Sequence, residues 1–242
     1  PLITYSGDIK EILKNLVNNV TSEGWNKDEF KNINMKLDNR FSRPDNAKFT
    51  AHDIFDICKS ELPSDSNIFT ETGAHIRLME QTWKFDSPLK FFGTSGGRTM
   101  GLMIPSFIGG VLATNNKIPS IGIGADGSTL MRLGEFETIN RANLKWPIVI
   151  INDGALGTMK YRQGYRGYKD YGLDLTMVDF AKTAKSCGLN GETVDNPEDF
   201  KKVLSMSLKS NKTYVIDARI DPDAYQDNFG GTIAVSYTHL TL

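Results

Sequence analysis

The sequence predicts an α/β protein built on a parallel sheet with helices on both faces. Beyond Thr50, short apolar runs alternate with longer segments whose apolar residues repeat at helical spacing, and this alternation is typical of strand–helix–strand units. A chain of 242 residues, 39% of them hydrophobic and 24% charged, can bury a sizeable core in one large domain. Such sheets bind ligands outside the carboxyl ends of their strands, so the candidate site is expected there.

The chain is predicted to comprise four segments. Residues 1–25 carry a strand end and an amphipathic helix, which we expect to be the tail of a truncated central domain. Residues 26–49 are polar and suit a linker with a partial helix, and residues 50–225 are expected to form the main domain. Residues 234–242 continue no pattern of the fold and are expected to be a non-native tail.

The elements of the main domain follow from its apolar patterning. The predicted strands are Asn67–Thr70, Leu89–Phe92, Ile118–Ile123, Pro147–Ile151 and Thr213–Ala218. The predicted helices are Ala51–Glu61, Met100–Ala113, Leu130–Asn143, Thr176–Cys187 and Pro197–Lys209.

Composition argues against several classes of partner. The 28 basic and 29 acidic residues give a net charge of −1, which offers no footprint for nucleic acid. No apolar run approaches the roughly 18 residues that a membrane span needs. Cys58 and Cys187 lie far apart and are expected to be reduced thiols. We therefore expect a soluble, cytoplasmic protein.

The most informative stretch is the glycine-rich turn between Ile121 and Ser128, which follows a strand and opens a helix. Backbone N–H groups at such a helix start point outward and can hold an anion. The plain structural alternative is a tight turn in which glycine supplies a positive φ and Ser128 caps the helix. Gly122 to Gly127 also reads G-x-G-x-x-G, so an NAD-dependent dehydrogenase with Asp153 on the ribose is a second interpretation.

An acid inside this turn points to a metal. Asp126 would repel a pyrophosphate on the same helix end unless a divalent cation lay between them. Asp153 follows the next buried strand, and parallel strands joined by one helix place their carboxyl ends side by side. Singly, each acid is better explained as a turn residue, but together Asp126 and Asp153 can face one Mg²⁺.

The same residues carry a family resemblance. Gly124-Ala125-Asp126-Gly127-Ser128 followed by Asn152-Asp153 resembles the thiamine-diphosphate motif GDG(S)…NN. Further likeness to acetolactate-synthase-type enzymes lies in Thr70–His75, Thr99–Gly101 with Pro105, Glu135, and Leu156–Lys160. The chain from about residue 50 to 220 is similar to the C-terminal, diphosphate-binding domain of this thiamine-diphosphate-dependent family.

The resemblance implies a set of site residues. Mg²⁺ would be held by Asp126, Asp153 and the backbone carbonyl of Ala155. Contacts with thiamine diphosphate are implied for His75, Gly127 and Ser128 at the diphosphate, for the Arg98 carbonyl at the aminopyrimidine, for Met100 as an apolar wedge that keeps the cofactor bent, and for Leu156, Gly157 and Thr158 along its length. Without the family, His75 is more often structural and Met100 is simply core.

Some residues depart from the family pattern. Ala125 and Arg98 stand where glycine is common, and Asp153 replaces an asparagine. Tyr161-Arg162-Gln163 replaces Gln-Trp-Gln, which argues against acetolactate synthesis itself. Lys160, Arg162 and Gln163 could meet an anionic substrate, although basic residues in such a loop are more often solvated.

The activity implied by the resemblance is that of a Mg²⁺-dependent 2-oxo acid decarboxylase or carboligase, a lyase or transferase that works as a dimer or tetramer. The cofactor serves as electron sink while carbon dioxide leaves. The glutamate that activates the cofactor belongs to a separate pyrimidine-binding domain, so no catalytic residue is assigned and the chain alone is expected to be inactive. A non-catalytic diphosphate-binding subunit, paired with a pyrimidine-domain chain, is a further alternative.

Overall fold

Six parallel strands form one sheet in the computed structural model, which describes residues 6–19, 24, 26–85, 88–93 and 99–222. The strands are β1 (Asn67–Thr70), β2 (Phe91–Phe92), β3 (Ser120–Ala125), β4 (Ile148–Asn152), β5 (Asn190–Val194) and β6 (Tyr214–Arg219). Their order across the sheet is β2-β1-β3-β4-β6-β5, and every pairing is parallel.

Ten helices accompany the strands in the described part of the chain. They are α1 (Ile9–Asn19), α2 (Lys27–Arg40), α3 (Ala51–Glu61), α4 (Ala74–Thr82), α5 (Met103–Ala113), α6 (Asp126–Leu130), α7 (Glu135–Arg141), α8 (Gly157–Tyr165), α9 (Phe180–Ser186) and α10 (Pro197–Leu208). Among these described helices, none combines the length and the apolar character that a membrane crossing requires.

The chain divides into two compact units, residues 1–37 and 38–242. Helix α2 fills much of the segment that was predicted to be a linker with a partial helix. The boundaries predicted after residues 25 and 49 stay predictions. The predicted non-native tail, residues 234–242, lies outside the described residues.

Both faces of the sheet are covered by helices, as predicted. Successive strand residues point to opposite faces, so Val149 packs with α3 and α10 on one face while Ile148 and Ile150 pack with α5, α7 and α9 on the other. Each of these three side chains is completely buried. Burial on both faces explains why the central strands are continuous apolar runs, and it confirms the α/β fold class.

Two glycines of β3 face helix α5. A Cβ atom on Gly122 would lie 2.7 Å from the Met103 sulfur, and one on Gly124 would lie 2.7 Å from the Met103 methyl carbon. Neither glycine has a positive φ, so the tight-turn explanation for them is wrong. A side chain at either position would displace the end of the Met103 side chain, so the two glycines leave room for Met103 between α5 and the strand.

Several predicted element bounds were wrong. The predicted helix Leu130–Asn143 is a short α6 and a separate α7, and Ser128 lies inside α6 while Ala125 is its N-cap residue. The predicted helix Thr176–Cys187 begins only at Phe180, after the N-cap residue Asp179. Strand β5 and helices α4 and α8 were not predicted.

Two neighbouring glycines on α5, Gly109 and Gly110, give a matched test of how closely this helix packs on the sheet. A Cβ on Gly110 would overlap the ring of Phe69, which is stacked on Phe92, whereas a Cβ on Gly109 would meet nothing within 4 Å. We expect Gly110→Ala to lower the free energy of unfolding by about 1–3 kcal/mol through overpacking. Gly109→Ala should raise it by about 0.5–1 kcal/mol because alanine favours the helix. Urea unfolding of both variants checks this, and equal effects would contradict the close approach of α5.

Candidate functional site

A cavity of about 310 Å³ opens at the carboxyl ends of β1, β3 and β4. The chain leaves β1 toward β2 on one side and β3 toward β4 on the other, which makes this edge a switch point of the sheet where ligands bind. The predicted site residues that line the cavity are His75, Met100, Asp126, Gly127, Ser128, Asp153, Ala155, Leu156, Gly157 and Thr158. The remaining one, Arg98, lies outside the described residues.

Asp126 joins the two turns that follow β3 and β4. One carboxylate oxygen, Oδ1, accepts the N–H of Gly127 at 2.7 Å, and Oδ2 accepts the N–H of Gly154 at 2.9 Å. The side chain is only 3% exposed. Burial raises the pKa of Asp126 to about 6, although the N–H groups of Gly127 and Gly154 oppose that rise.

Asp153 lies beside Asp126 and is affected by its charge. Its Oδ1 accepts the N–H of Ala155 at 3.1 Å. Burial raises the pKa of Asp153 to about 7, with a further contribution from the negative charge of Asp126. A buried carboxylate next to a second negative charge is stabilised in its ionised form by a cation placed between the two.

The donor set at this edge fits Mg²⁺. No group of three His, Cys, Asp or Glu residues that could hold a metal occurs among the described residues. A cation at Asp126 and Asp153 would therefore complete its shell with backbone, water or phosphate oxygens. Mg²⁺ accepts that arrangement, since it usually takes one or two carboxylates, whereas a structural Zn²⁺ requires four nitrogen or sulfur ligands.

The loop after β4 is held in place by an extended segment. The N–H of Leu156 donates to the carbonyl of Leu173 at 2.8 Å, and the N–H of Leu175 donates to the carbonyl of Gly154 at 2.7 Å. Ala155, between these two bonds, is 9% exposed. The backbone that would present the Ala155 carbonyl is thus fixed on both sides.

His75 lines the cavity and has one ring nitrogen without a hydrogen-bond partner. Its Nε2 lies 3.3 Å from the hydroxyl of Thr70, while its buried Nδ1 has no hydrogen-bond partner. Burial lowers the pKa of His75 to about 4, so the ring is neutral at physiological pH. A buried, unpaired nitrogen at a cavity wall suits contact with a polar ligand. Thr158 has a buried hydroxyl in the same condition.

Gly127 brings three cavity residues together. A Cβ on Gly127 would lie 2.9 Å from a methyl of Leu156 and 3.6 Å from the methyl carbon of Met100. A side chain at Gly127 would displace the Leu156 methyl, whereas Met100 lies at ordinary contact distance. Leu156 and Met100 therefore both provide apolar cavity surface near Gly127.

Residues 71–218, well over half of the chain, match the family described as thiamine pyrophosphate enzyme, C-terminal TPP binding domain. The chain belongs to the thiamine pyrophosphate enzymes. The cofactor of this family is thiamine pyrophosphate, also called thiamine diphosphate, with Mg²⁺ as the usual partner metal.

Relatives of this thiamine pyrophosphate domain include acetolactate synthases. A probable acetolactate synthase large subunit of Methanocaldococcus jannaschii is 26% identical over 229 residues, which are 89% of this chain and 38% of the relative. The acetolactate synthase isozyme 2 large subunit of Escherichia coli is 27% identical over 162 residues, 66% of this chain and 29% of the relative. The chain therefore spans less than two fifths of the length of either relative.

A solved structure shares the fold. The thiamine diphosphate-dependent 4-hydroxybenzoylformate decarboxylase of Rhodococcus jostii RHA1 superposes with a TM-score of 0.67 at 20% sequence identity, covering 74% of this chain and 34% of that chain. This likeness confirms the thiamine pyrophosphate fold.

The dinucleotide interpretation does not suit this thiamine pyrophosphate domain. Gly122 and Gly124 lie within β3 and face α5, rather than in a turn that approaches a ligand. In a dinucleotide fingerprint the glycines follow the strand. The spacing of Gly122, Gly124 and Gly127 is therefore a consequence of helix packing and cavity shape.

Sequence reasoning missed part of the cavity wall. Thr72, Ala74 and Arg77 also line it. Thr72 and Ala74 lie in the Thr70–His75 stretch but were given no role of their own, and Arg77 was missed because helix α4 was not predicted. Arg162, one of the residues that could meet an anionic substrate, lines the cavity. Lys160 instead pairs with Asp174 at 2.7 Å.

Proposed function

We propose that this thiamine pyrophosphate domain binds the diphosphate of its cofactor through Mg²⁺ and forms the C-terminal part of a 2-oxo acid decarboxylase or carboligase. The observation that carries the proposal is the position of Asp126 and Asp153, which end neighbouring strands and line one cavity. Burial raises the pKa of both carboxyl groups, and the charge of Asp126 raises that of Asp153 further, so their ionised forms need a counter-charge here. Mg²⁺ with a diphosphate supplies both the charge and the missing oxygen ligands.

The metal is held, in this proposal, by three groups from two turns. Asp126 and Asp153 provide carboxylate oxygens, and Ala155 provides its backbone carbonyl. Asp126 now accepts N–H groups from both turns, so its carboxylate is already confined to the region where a shared cation would lie. The stronger negative charge of Asp153, compared with the asparagine usual in the family, favours a hard cation.

The diphosphate is placed above α6. In this proposal Gly127 and Ser128 contact it, with the Gly127 N–H, which donates to Asp126 Oδ1 in the metal-free chain, lying next to the metal. The unpaired Nδ1 of His75 would donate to it when the Thr70 hydroxyl donates to Nε2. Leu156, Gly157 and Thr158 extend along the cofactor. Met100 supports its middle, and the Arg98 carbonyl meets the aminopyrimidine. When bound, the cofactor accepts the electron pair released as carbon dioxide leaves a 2-oxo acid.

One basic residue of the cavity wall supports the proposed substrate class. Arg162 lines the cavity with an exposed side chain, so it can attract the carboxylate of a 2-oxo acid. The acetolactate-synthase pattern has tryptophan there, so we assign a lyase or transferase acting on a different 2-oxo acid. We further propose that the whole protein is a homo-oligomer. We also propose a cytoplasmic location, which agrees with the free thiols of Cys58 and Cys187.

Calorimetric titration of this chain with thiamine diphosphate, with and without Mg²⁺, tests the proposal. We expect weak binding that requires Mg²⁺, because the uncompensated carboxylates repel the diphosphate in its absence. NAD, titrated alongside, should not bind. Binding of NAD without metal, or cofactor binding that is indifferent to Mg²⁺, would overturn the assignment of the metal–diphosphate site.

A further inference from the structure

Glu71 is a buried carboxylate that the proposed cofactor site does not use. It directly follows β1, is only 1% exposed, and does not line the cavity. Its Oε2 accepts the N–H of Leu102 at 2.8 Å and the N–H of Met103 at 3.1 Å. These residues are the N-cap and the first residue of α5. The side chain that caps this helix therefore comes from a residue 31 positions before the N-cap.

The cap is needed because α5 has none of its own. Leu102 offers no side-chain hydrogen bond to the helix start, and the first N–H groups of a helix must find partners elsewhere. Burial raises the pKa of Glu71, while the N–H groups of Met103, Leu102 and Gly101 favour its ionised form. The positive end of the eleven-residue helix acts in the same direction. The Ser128 hydroxyl lies beside Glu71 without a hydrogen bond of acceptable geometry.

Glu71 is also confined from the other side. Its Oε1 lies 2.7 Å from where a Cβ of Gly124 would be, so the carboxylate sits against β3 just before Asp126. Met100 precedes the tethered N–H groups by only two residues, and Gly101 between them has a φ of 76° that turns the chain sharply. The Met100 methyl carbon then lies 3.6 Å from the Cβ position of Gly127.

We propose that Glu71 is a positioning residue that sets the height of Met100 above the Gly127 turn. By fixing the start of α5 against the strand that carries the metal-binding turn, it defines the gap in which the middle of the cofactor lies. The identity of that ligand rests on the proposed function. Glu71 is proposed to affect only the binding of the part of the ligand that contacts Met100, and not the binding of the diphosphate.

Two probes separate these parts of the ligand. Mg²⁺ with inorganic pyrophosphate reports the metal–diphosphate contacts alone, and Mg²⁺ with thiamine diphosphate also reports the contact at Met100. Glu71→Leu keeps the volume but cannot accept a hydrogen bond, whereas Glu71→Gln retains an acceptor oxygen. Thr213→Val is the matched control, since Thr213 is a buried hydroxyl that bonds the Leu144 carbonyl at the opposite end of the sheet.

The expected result is selective. Glu71→Leu should weaken thiamine diphosphate binding about ten-fold, as supporting residues of a site commonly do, and leave pyrophosphate binding within about two-fold. Glu71→Gln should retain most of the affinity, and Thr213→Val should change neither. If Glu71→Leu does not fold, Glu71→Asp carries the test, because its carboxylate is one methylene short of the α5 N–H groups. If Glu71→Leu loses affinity for both ligands equally, or for neither, the positioning role alone is overturned. The same holds if the wild-type chain binds thiamine diphosphate and pyrophosphate with equal affinity. A wild-type chain that binds neither overturns the proposed function and the positioning role together.

Discussion

Asp126→Ala should abolish the Mg²⁺-dependent binding of thiamine diphosphate, lowering affinity by at least about 100-fold, because even residues behind a metal ligand cost 10–100-fold when they are removed. Among the described residues, only the side chain of Asp126 accepts an N–H from each of the two turns proposed to hold the metal. Its removal deletes a proposed metal ligand and also the link between the loops after β3 and β4. Calorimetric titration of the variant at fixed Mg²⁺ measures the loss.

Asp174→Ala is the matched control for this experiment. Asp174 lies in the segment that pairs with Ala155, but its side chain is 76% exposed and pairs with Lys160. Its removal changes the charge of the protein by the same amount and should leave affinity within about two-fold, since exposed pairs contribute little. Comparable losses in both variants would mean that general electrostatics, and not a metal site, governs binding.

The metal-free chain should become less stable as the pH rises from about 4 to about 7. The pKa of Asp153 is about 7 in the folded protein and 3.8 for an aspartate without interactions, the value expected in the unfolded chain. Between these two pH values the folded state holds a proton that the unfolded state has lost. Stability therefore falls with rising pH, and the contribution of Asp153 is on the order of a few kcal/mol. Asp126, with a pKa of about 6, acts in the same direction.

Urea unfolding at pH 5 and pH 8 measures this effect, with Asp153→Asn as the comparison. The variant removes the titrating group whose pKa is raised by burial and by the charge of Asp126, so its stability should depend less on pH. Glu71 and His75 also have shifted pKa values, upward and downward respectively, but both are present in either protein and cancel in the difference. Mg²⁺ should stabilise the wild type more at pH 8 than at pH 5, because its ligands must be deprotonated. Identical pH profiles for the two proteins would contradict the coupling of Asp126 and Asp153.

The elements predicted correctly from sequence are those with a strong local signal. Strand β1 and helix α3 have the predicted bounds. Helix α3 begins at a capping box in which the Thr50 hydroxyl accepts the Asp53 N–H and the Asp53 carboxylate accepts the Thr50 N–H. Helix α8 was missed because none of its residues is buried, so it has no apolar stripe. Strand β5 was missed because a polar edge strand shows no apolar run.

The candidate site was predictable where it depends on strand order. The pairing of Asp126 with Asp153 follows from two consecutive parallel strands, and β3 and β4 are indeed neighbours. The unpaired nitrogen of His75 and the partners of Glu71 could not be predicted, because both depend on side-chain packing between distant segments. The glycine spacing left a dinucleotide site open as an alternative, because close helix packing and phosphate binding both select glycine.

The two outer strands of the sheet affect how the domain behaves in solution. Unpaired edges of a sheet invite other chains to add as further strands and so promote aggregation. Here β2 has only two residues, and β5 places Glu192 and Thr193, both exposed, along the other edge. A short edge and a charged edge both resist such strand addition. Both outer strands of the sheet that carries the candidate site are therefore poor templates for an added strand.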